Sequence, residues 1–234
     1  MINSRPVTPQ ASEIRDLFNR IAPVYDQLNN GLSFGQHRVW KLMAVKWSEV
    51  QPGSIGLDVC CGSGDLAQLL ARRVGSTGEV YGVDFSAALL EVASQRTPPQ
   101  LPLHWVEADA LNLPFEDNYF DCATMGYGLR NVTDIPRCLA ELYRVLKPGA
   151  KAAILDFHRP QQPLMRAFQQ WYLETVVVPS AKKLGLTEEY AYIAPSLERF
   201  PTGSEQVKLA TSAGFSATHY PIAMGMMGVL VVAK

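Results

Sequence analysis

The sequence is poor in several things, and each scarcity narrows the field. Its 234 residues hold four cysteines, Cys60, Cys61, Cys122 and Cys138, with no C-x-x-C pair and no companion histidine spacing. Neither a zinc site nor a disulfide framework is expected from such a set, and a reducing compartment suits it. The neighbours Cys60 and Cys61 read as buried or turn residues in preference to a redox couple, because consecutive strand side chains point to opposite faces. An excess of one charge is also missing. Lys and Arg number 21 against 22 Asp and Glu, for a net charge of −1. No basic block supplies the phosphate attraction on which nucleic-acid binders rely, so no nucleic-acid partner is expected. No uncharged run approaches the roughly 18 residues of a bilayer span, and the first dozen residues lack the apolar stretch of a leader. A cytoplasmic chain that touches a membrane only at its surface is the expectation.

What is present is a core. Hydrophobic residues make up 47% of the chain, enough for one α/β domain with helices to spare. Residues 1–51 read as a helical cap. Ser12 is placed to cap a helix on which Ile14, Leu17, Phe18 and Ile21 share a face, and Trp40, Met43 and Trp47 mark a second helix. The Asn-, Gly- and Ser-rich stretch from Tyr25 to Gly35 between them reads as an ordered loop. From Pro52 onward, short apolar runs alternate with helical segments, the pattern of βαβ units around a parallel sheet. Strands are predicted at 55–60, 80–85, 104–108, 120–125, 152–157, 217–221 and 229–233, and helices at 66–73, 87–95, 135–146 and 205–213. Between the fifth and sixth strands, residues 160–202 form a helical insertion. Its Leu164, Phe168, Trp171, Tyr172 and Val176 share an apolar face that suits either core or a lid over a greasy substrate.

The chemistry concentrates at strand ends. Leu57-Asp58-Val59-Cys60-Cys61-Gly62-Ser63-Gly64-Asp65 is a strand running into a glycine turn that opens a helix, where a ligand can approach backbone N–H groups. About twenty residues beyond Gly64, Asp84 ends the next strand, where a carboxylate accepts both hydroxyls of a ribose. Asp109 closes the third strand and can accept from an adenine amino group, with Phe85 and Ala110 beside the two acids. Gly62-x-Gly64-x-x-Ala67 followed by Asp84 also satisfies the dinucleotide fingerprint of a nicotinamide oxidoreductase. Asp58 argues against that rival, since a carboxylate before the glycines repels a pyrophosphate and suits the ammonium of a methionine.

This arrangement resembles the class I S-adenosylmethionine-dependent methyltransferases. The resemblance implies a Rossmann-like, mostly parallel seven-stranded sheet with an antiparallel last strand, extra N-terminal helices and a helical insertion before the last two strands. Tyr25-Asp26-x-Leu28-Asn29-x-x-Leu32-Ser33-x-x-x-His37-x-x-Trp40 is similar to a signature of the quinone-biosynthesis C-methyltransferase family, and Arg144-Val145-Leu146-Lys147-Pro148-Gly149 resembles its second one. Leu113-Pro114-Phe115 with Phe120-Asp121, and Gly128-Leu129-Arg130-Asn131-Val132, resemble the family's fourth-strand region, so the likeness runs from about Arg15 to the C-terminus. Leu28 stands where Met is usual, and Ala150, Asp156 and His158 stand where Gly, Glu and Ser are usual. These departures resemble the cyanobacterial and plant branch, whose members methylate demethylphylloquinol.

The family likeness implies S-adenosylmethionine as methyl donor, no metal, and a reduced prenylated naphthoquinol as lipid substrate, with demethylmenaquinol or a benzoquinol as the neighbouring choices. Tyr25, Asp58, Cys60, Gly62, Gly64, Asp84, Phe85, Asp109 and Ala110 are the expected cofactor residues. Arg130 and Asn131 are candidates to hold a phenolate oxygen, Arg by charge and Asn by its amide donor. His158 or Asp156 is the candidate proton acceptor. His37, Phe168 and Trp171 are the expected substrate contacts, with Tyr25 and His37 able to close over cofactor or quinol. A catalytically silent adenosyl-binding module stays open beside these readings.

Overall fold

Five apolar runs, Ile55–Val59 (β1), Glu79–Asp84 (β2), Leu103–Glu107 (β3), Phe120–Gly126 (β4) and Leu146–Phe157 (β5), pair in parallel, and Ser216–Ile222 (β6) and Met227–Ala233 (β7) complete the sheet. The structure is a computed structural model that describes residues 11–21, 35–179 and 193–234. The order is β3-β2-β1-β4-β5-β7-β6, and β7 runs antiparallel to both neighbours, so the expected mostly parallel seven-stranded sheet with an antiparallel last strand is found. Chain direction along the sheet reverses between β1 and β4, which opens a crevice at their carboxyl ends, where ligands settle on sheets of this kind.

Helices cover both faces because the central strands are buried on both. Those described are Ala11–Ile21 (α1), Gln36–Trp47 (α2), Asp65–Val74 (α3), Ala87–Arg96 (α4), Ile135–Val145 (α5), Pro163–Tyr172 (α6), Ile193–Arg199 (α7) and Gly203–Ser212 (α8). One apolar layer joins Leu57, Met125, Leu139, Leu142, Ile154 and Ala210. The other joins Ala44, Val45, Leu66, Leu70, Ala153 and Val229. No described helix is long and apolar enough to cross a membrane.

Local chemistry sets the helix starts. The Ser86 hydroxyl accepts from the Leu89 N–H at 3.2 Å to start α4, the Asp134 carboxylate accepts from Arg137 at 3.0 Å to start α5, and a Thr202–Glu205 capping box starts α8. Ser12 does not do the same for α1, which already begins at Ala11. The second family-like motif is structural. Arg144 donates to the carbonyls of Phe115 (2.6 Å) and Leu113 (2.9 Å) and pairs with Glu141, while Lys147 pairs with Asp121 at 2.6 Å. Together they clamp the loop before β4.

Gly64 caps α3 at φ 86°, and a Cβ there would lie 2.5 Å from the Trp105 ring. Its glycine serves that close packing of α3 on β3. Gly64→Ala is therefore expected to cost on the order of 2 kcal/mol or more in urea unfolding, from a left-handed backbone plus a ring that must move.

Candidate active site

The crevice at the switch point holds a cavity lined by Ile14, Cys60, Gly62, Val83, Asp84, Phe85, Leu89, Ala108, Asp109, Ala110 and Leu111 on one side and by Gly126, Tyr127, Gly128, Asn131, Val132 and Thr133 on the other. Six expected cofactor residues, Cys60, Gly62, Asp84, Phe85, Asp109 and Ala110, share this wall. Asp84 is built as a turn organiser: Oδ2 accepts from the Gly62 N–H at 2.8 Å and Oδ1 from the Ser86 N–H at 2.9 Å. Each carboxylate oxygen keeps a further lone pair for a ribose hydroxyl. Asp109 accepts from the Leu111 N–H at 2.9 Å through Oδ1, leaving its other oxygen for an amino group.

Asp58 stands behind this wall and is fully buried. The Thr124 hydroxyl donates to Oδ1 at 2.8 Å, while Oδ2 is buried without a hydrogen-bond partner. An orphaned buried carboxylate oxygen calls for a cationic or N–H partner, and the ammonium of a methionine moiety meets that need. Gly62, Asp84 and Asp109 on the cavity wall fit the adenosyl part of an S-adenosyl nucleoside, and Asp58, which lines neither cavity, lies behind them as a buried acid toward which an ammonium would be drawn.

The sequence did not announce Tyr127, Ile14 or Leu89 as wall residues. Cys60 and Tyr127 both take left-handed backbone, with φ 53° and 60°, conformations that cost non-glycine residues about 1–2 kcal/mol and collect at functional sites. A Cβ on Gly128 would lie 2.6 Å from the Cys60 Cβ, so Gly128 leaves the room that Cys60 fills. All four cysteines are free. Ile14 and Leu89 are brought in by helices α1 and α4 from outside the motifs.

The candidate catalytic residues engage one another. Arg130 Nε lies 3.0 Å from Asp156 Oδ1, and the Arg130 backbone N–H donates to Asp156 Oδ2 at 3.0 Å. Arg130 Nη1 donates to Asn131 Oδ1 and to the Ser196 hydroxyl, each at 3.0 Å, and Asn131 Nδ2 donates to the Tyr127 carbonyl at 2.8 Å. Both ends of the Asn131 amide are thereby committed. His158 is buried, with Nδ1 donating to the Asp156 carbonyl at 3.1 Å and Nε2 within 2.8 Å of Gln206 Nε2 and 2.9 Å of His219 Nε2. Burial holds the His158 imidazole below its ordinary pKa. Neither Asp156 nor His158 lies on the wall of this cavity or the next; among the described residues both fasten the end of β5.

A second cavity of about 340 Å³ adjoins the first through Ile14, Asn131, Val132 and Thr133, and continues along Arg130, Asp134, Ile135, Pro136, Arg199, Phe200, Pro201 and Leu209. His37, Phe168 and Trp171 line neither cavity: His37 is buried in the first turn of α2, and the two aromatics face outward from α6. Tyr25, with the first family-like signature up to Ser33, lies outside the described residues.

Residues 7–233 match the ubiE/COQ5 methyltransferase family. The chain belongs to that family. As a ubiE/COQ5 methyltransferase it uses S-adenosylmethionine, and the nicotinamide alternative falls with the assignment. It is 69% identical over 227 residues to the 2-phytyl-1,4-naphtoquinone methyltransferase of Trichormus variabilis, covering 95% of this chain and 99% of that one. The protein of the same name in Synechocystis is 59% identical with both chains fully covered. A chloroplastic 2-phytyl-1,4-beta-naphthoquinone methyltransferase of Arabidopsis thaliana is 51% identical, covering 98% and 90%. Among solved structures, an S-adenosylmethionine-dependent methyltransferase of Thermotoga maritima superposes with TM-score 0.65 at 22% identity, covering 94% and 99%. One from Aquifex aeolicus gives 0.62 at 18%, covering 96% and 98%. These two share the fold.

Burial gives this ubiE/COQ5 site a pH signature. It pushes the Asp58 carboxyl up to about 7 and the Asp84 carboxyl up to about 6. Both values lie above that of an unfolded carboxyl, so each ionisation opposes folding. Stability present below the unfolded pKa is lost as pH rises through 6 and 7. Asp58→Asn is expected to raise the melting temperature of the ligand-free protein at pH 8 by about 4 °C, and by clearly less at pH 5, where only part of the ionisation penalty has built up. Paired melts at the two pH values check it, and an equal shift at both would contradict the assignment.

Proposed function

We propose that this methyltransferase places a methyl group on a ring carbon of a reduced phytylated naphthoquinol, completing phylloquinone. The observation that carries the reading is the joining of two cavities across Ile14 and Asn131 to Thr133. One carries Asp84 and Asp109, the acids suited to an adenosyl cofactor, and the other mixes the apolar Phe200, Pro201 and Leu209 with the charged Arg130, Asp134 and Arg199. The names of the cyanobacterial and plant relatives support the headgroup and tail.

S-adenosylmethionine, when bound, supplies an electrophilic methyl on a positively charged sulfur. An oxidised quinone ring is itself electrophilic, so the acceptor is the quinol, whose ring carbon gains electron density as a phenolic proton leaves. With the donor bound, the ring carbon would take the methyl group as its bond to sulfur broke, and the ring hydrogen would leave as a proton while the phenolate regained one, so that one proton is released in all. The chain supplies position and charge. Phe200, Pro201 and Leu209 pack the flat ring, and Ile14 shields both cavities from water. The guanidinium groups of Arg130 and Arg199 on the second wall favour a phenolate over a phenol. Asn131, locked by Arg130 and Tyr127, fixes the partition between the cavities. Because the substrate is a lipid, we place the working enzyme at a membrane surface with its body in the cytoplasm.

The test is transfer of a labelled methyl group to demethylphylloquinol, demethylmenaquinol and a benzoquinol, each kept reduced. The first is expected to turn over fastest, and its oxidised form not at all. Preference for the benzoquinol would overturn the substrate assignment, and no transfer to any of them would overturn the activity and leave a silent adenosyl-binding module.

A further inference from the structure

Helix α6 is amphipathic in the wrong direction for a core helix. None of its residues is buried, and its apolar stripe points to solvent: Leu164 is 75% exposed, Phe168 43% and Trp171 53%, at positions i, i+4 and i+7. Its opposite side holds the domain by polar bonds. Gln169 Nε2 donates to the His158 carbonyl at 2.8 Å and Arg166 Nε to the Pro160 carbonyl at 3.3 Å. Phe168 stacks near Trp171 and Tyr172, with ring centroids 5.9 and 6.3 Å apart, so the stripe is a preformed aromatic ridge.

A second, separate feature presents apolar surface at the same edge. In the turn between β6 and β7, Ala223 and Met224 both take left-handed backbone, φ 47° and 54°, and the strained turn holds the Met224 side chain 70% exposed. Pairing of Phe157 with Met227 puts this turn at the end of β5 from which α6 departs. A Cβ on Gly225 would lie 3.7 Å from Pro160, whose carbonyl is the one held by Arg166. The carboxyl ends of the parallel strands, where the two cavities lie, form that same edge. Exposed Arg159 stands next to Pro160 at this edge, while Arg166 is engaged on the domain side of α6.

We propose that α6 and the Met224 turn form a membrane-docking surface that seats the catalytic edge on a bilayer containing anionic lipid. The proposal rests on the lipid-substrate reading above. Leu, Phe, Trp and Met on one side of a surface helix and turn, a polar opposite side of Gln and Arg, and the exposed Arg159 at the same edge have the chemistry of an interfacial surface. Trp is suited to the boundary between headgroup and acyl chain. Seated in this way, the protein turns its cavities toward the layer that holds a phytylated quinol, which then need not leave the bilayer entirely.

The test uses the full chain and vesicles of phosphatidylcholine with or without phosphatidylglycerol. Flotation is expected to recover wild type with the anionic vesicles, and Leu164→Ser/Phe168→Ser/Trp171→Ser to reduce the bound fraction about tenfold, with unchanged affinity for S-adenosylhomocysteine as the control for folding. Trp171→Phe should still bind, but without the blue shift in tryptophan emission that vesicles induce in wild type. Equal flotation of wild type and the triple variant overturns the proposal, as does a wild-type blue shift that survives in Trp171→Phe. Absence of wild-type flotation overturns it too. These readouts involve no catalysis, so they stand apart from any failure of the substrate assignment.

Discussion

Asp156→Ala is expected to destabilise the protein by about 3–5 kcal/mol and to abolish methyl transfer. The side chain it removes is 1% exposed and does three things. Through Oδ1 it accepts from the Phe157 N–H at 2.8 Å and faces Arg130 Nε, and through Oδ2 it accepts from the Arg130 backbone. Its loss strands a guanidinium whose side chain is 9% exposed and frees the backbone turn that carries Asn131 into the cavity wall. Arg130→Leu/Asp156→Leu removes both desolvated charges together, and a large part of the stability should return. Activity should not, because the turn at Leu129–Asn131 is still unanchored. Urea unfolding beside turnover separates the two effects. A single variant within 1 kcal/mol of wild type would show that the pair does not hold the turn.

The second large effect is expected at Asp84. Both of its oxygens already hold backbone N–H groups of the two loops that flank the cavity, and an amide can accept at only one of its two ends. Asp84→Asn must therefore turn an N–H toward Gly62 or Ser86 and lose one ribose acceptor at the same time. A loss of at least about 100-fold in S-adenosylhomocysteine affinity follows, equivalent to about 2.7 kcal/mol. The variant should fold, because it removes a carboxylate whose ionisation burial opposes. Calorimetric titration measures the loss, and a change below threefold would mean that the ribose sits elsewhere.

Much of the fold and half of the site were legible because they follow from local period and strand ends. Alternating strand and helix patterns place Asp58, Asp84 and Asp109 on one edge of the sheet whatever the packing above it. What could not be read depends on long-range contact. His158 meets Gln206 and His219 across 48 and 61 residues of chain, so a residue that reads as a base in sequence is a buried brace in space. Gly203 and Gly228 sit where a Cβ would lie 2.3 and 2.4 Å from the His219 ring, and only this buried cluster explains them. Arg130 and Asn131 were found as a pair, but their commitment to Asp156 and Tyr127 was not. The stripe on α6 shows the limit of periodicity. Spacing identifies an apolar face and says nothing of what that face meets, so core and lid were both open while the structure turns it outward. Gly64 is a similar case, read as a ligand contact and found packing against Trp105.

The central claim, that one S-adenosyl nucleoside lies along the edge from Asp58 to Asp109, is tested most directly by a crystal structure of the protein with S-adenosylhomocysteine. Density is expected in the cavity between Gly62 and Thr133, with both ribose hydroxyls about 2.6–3.0 Å from the Asp84 carboxylate, the adenine amino group at Asp109 and the ammonium on the Asp58 side. A nucleoside bound with its ribose away from Asp84, or its ammonium at the Asp109 end, would contradict the account.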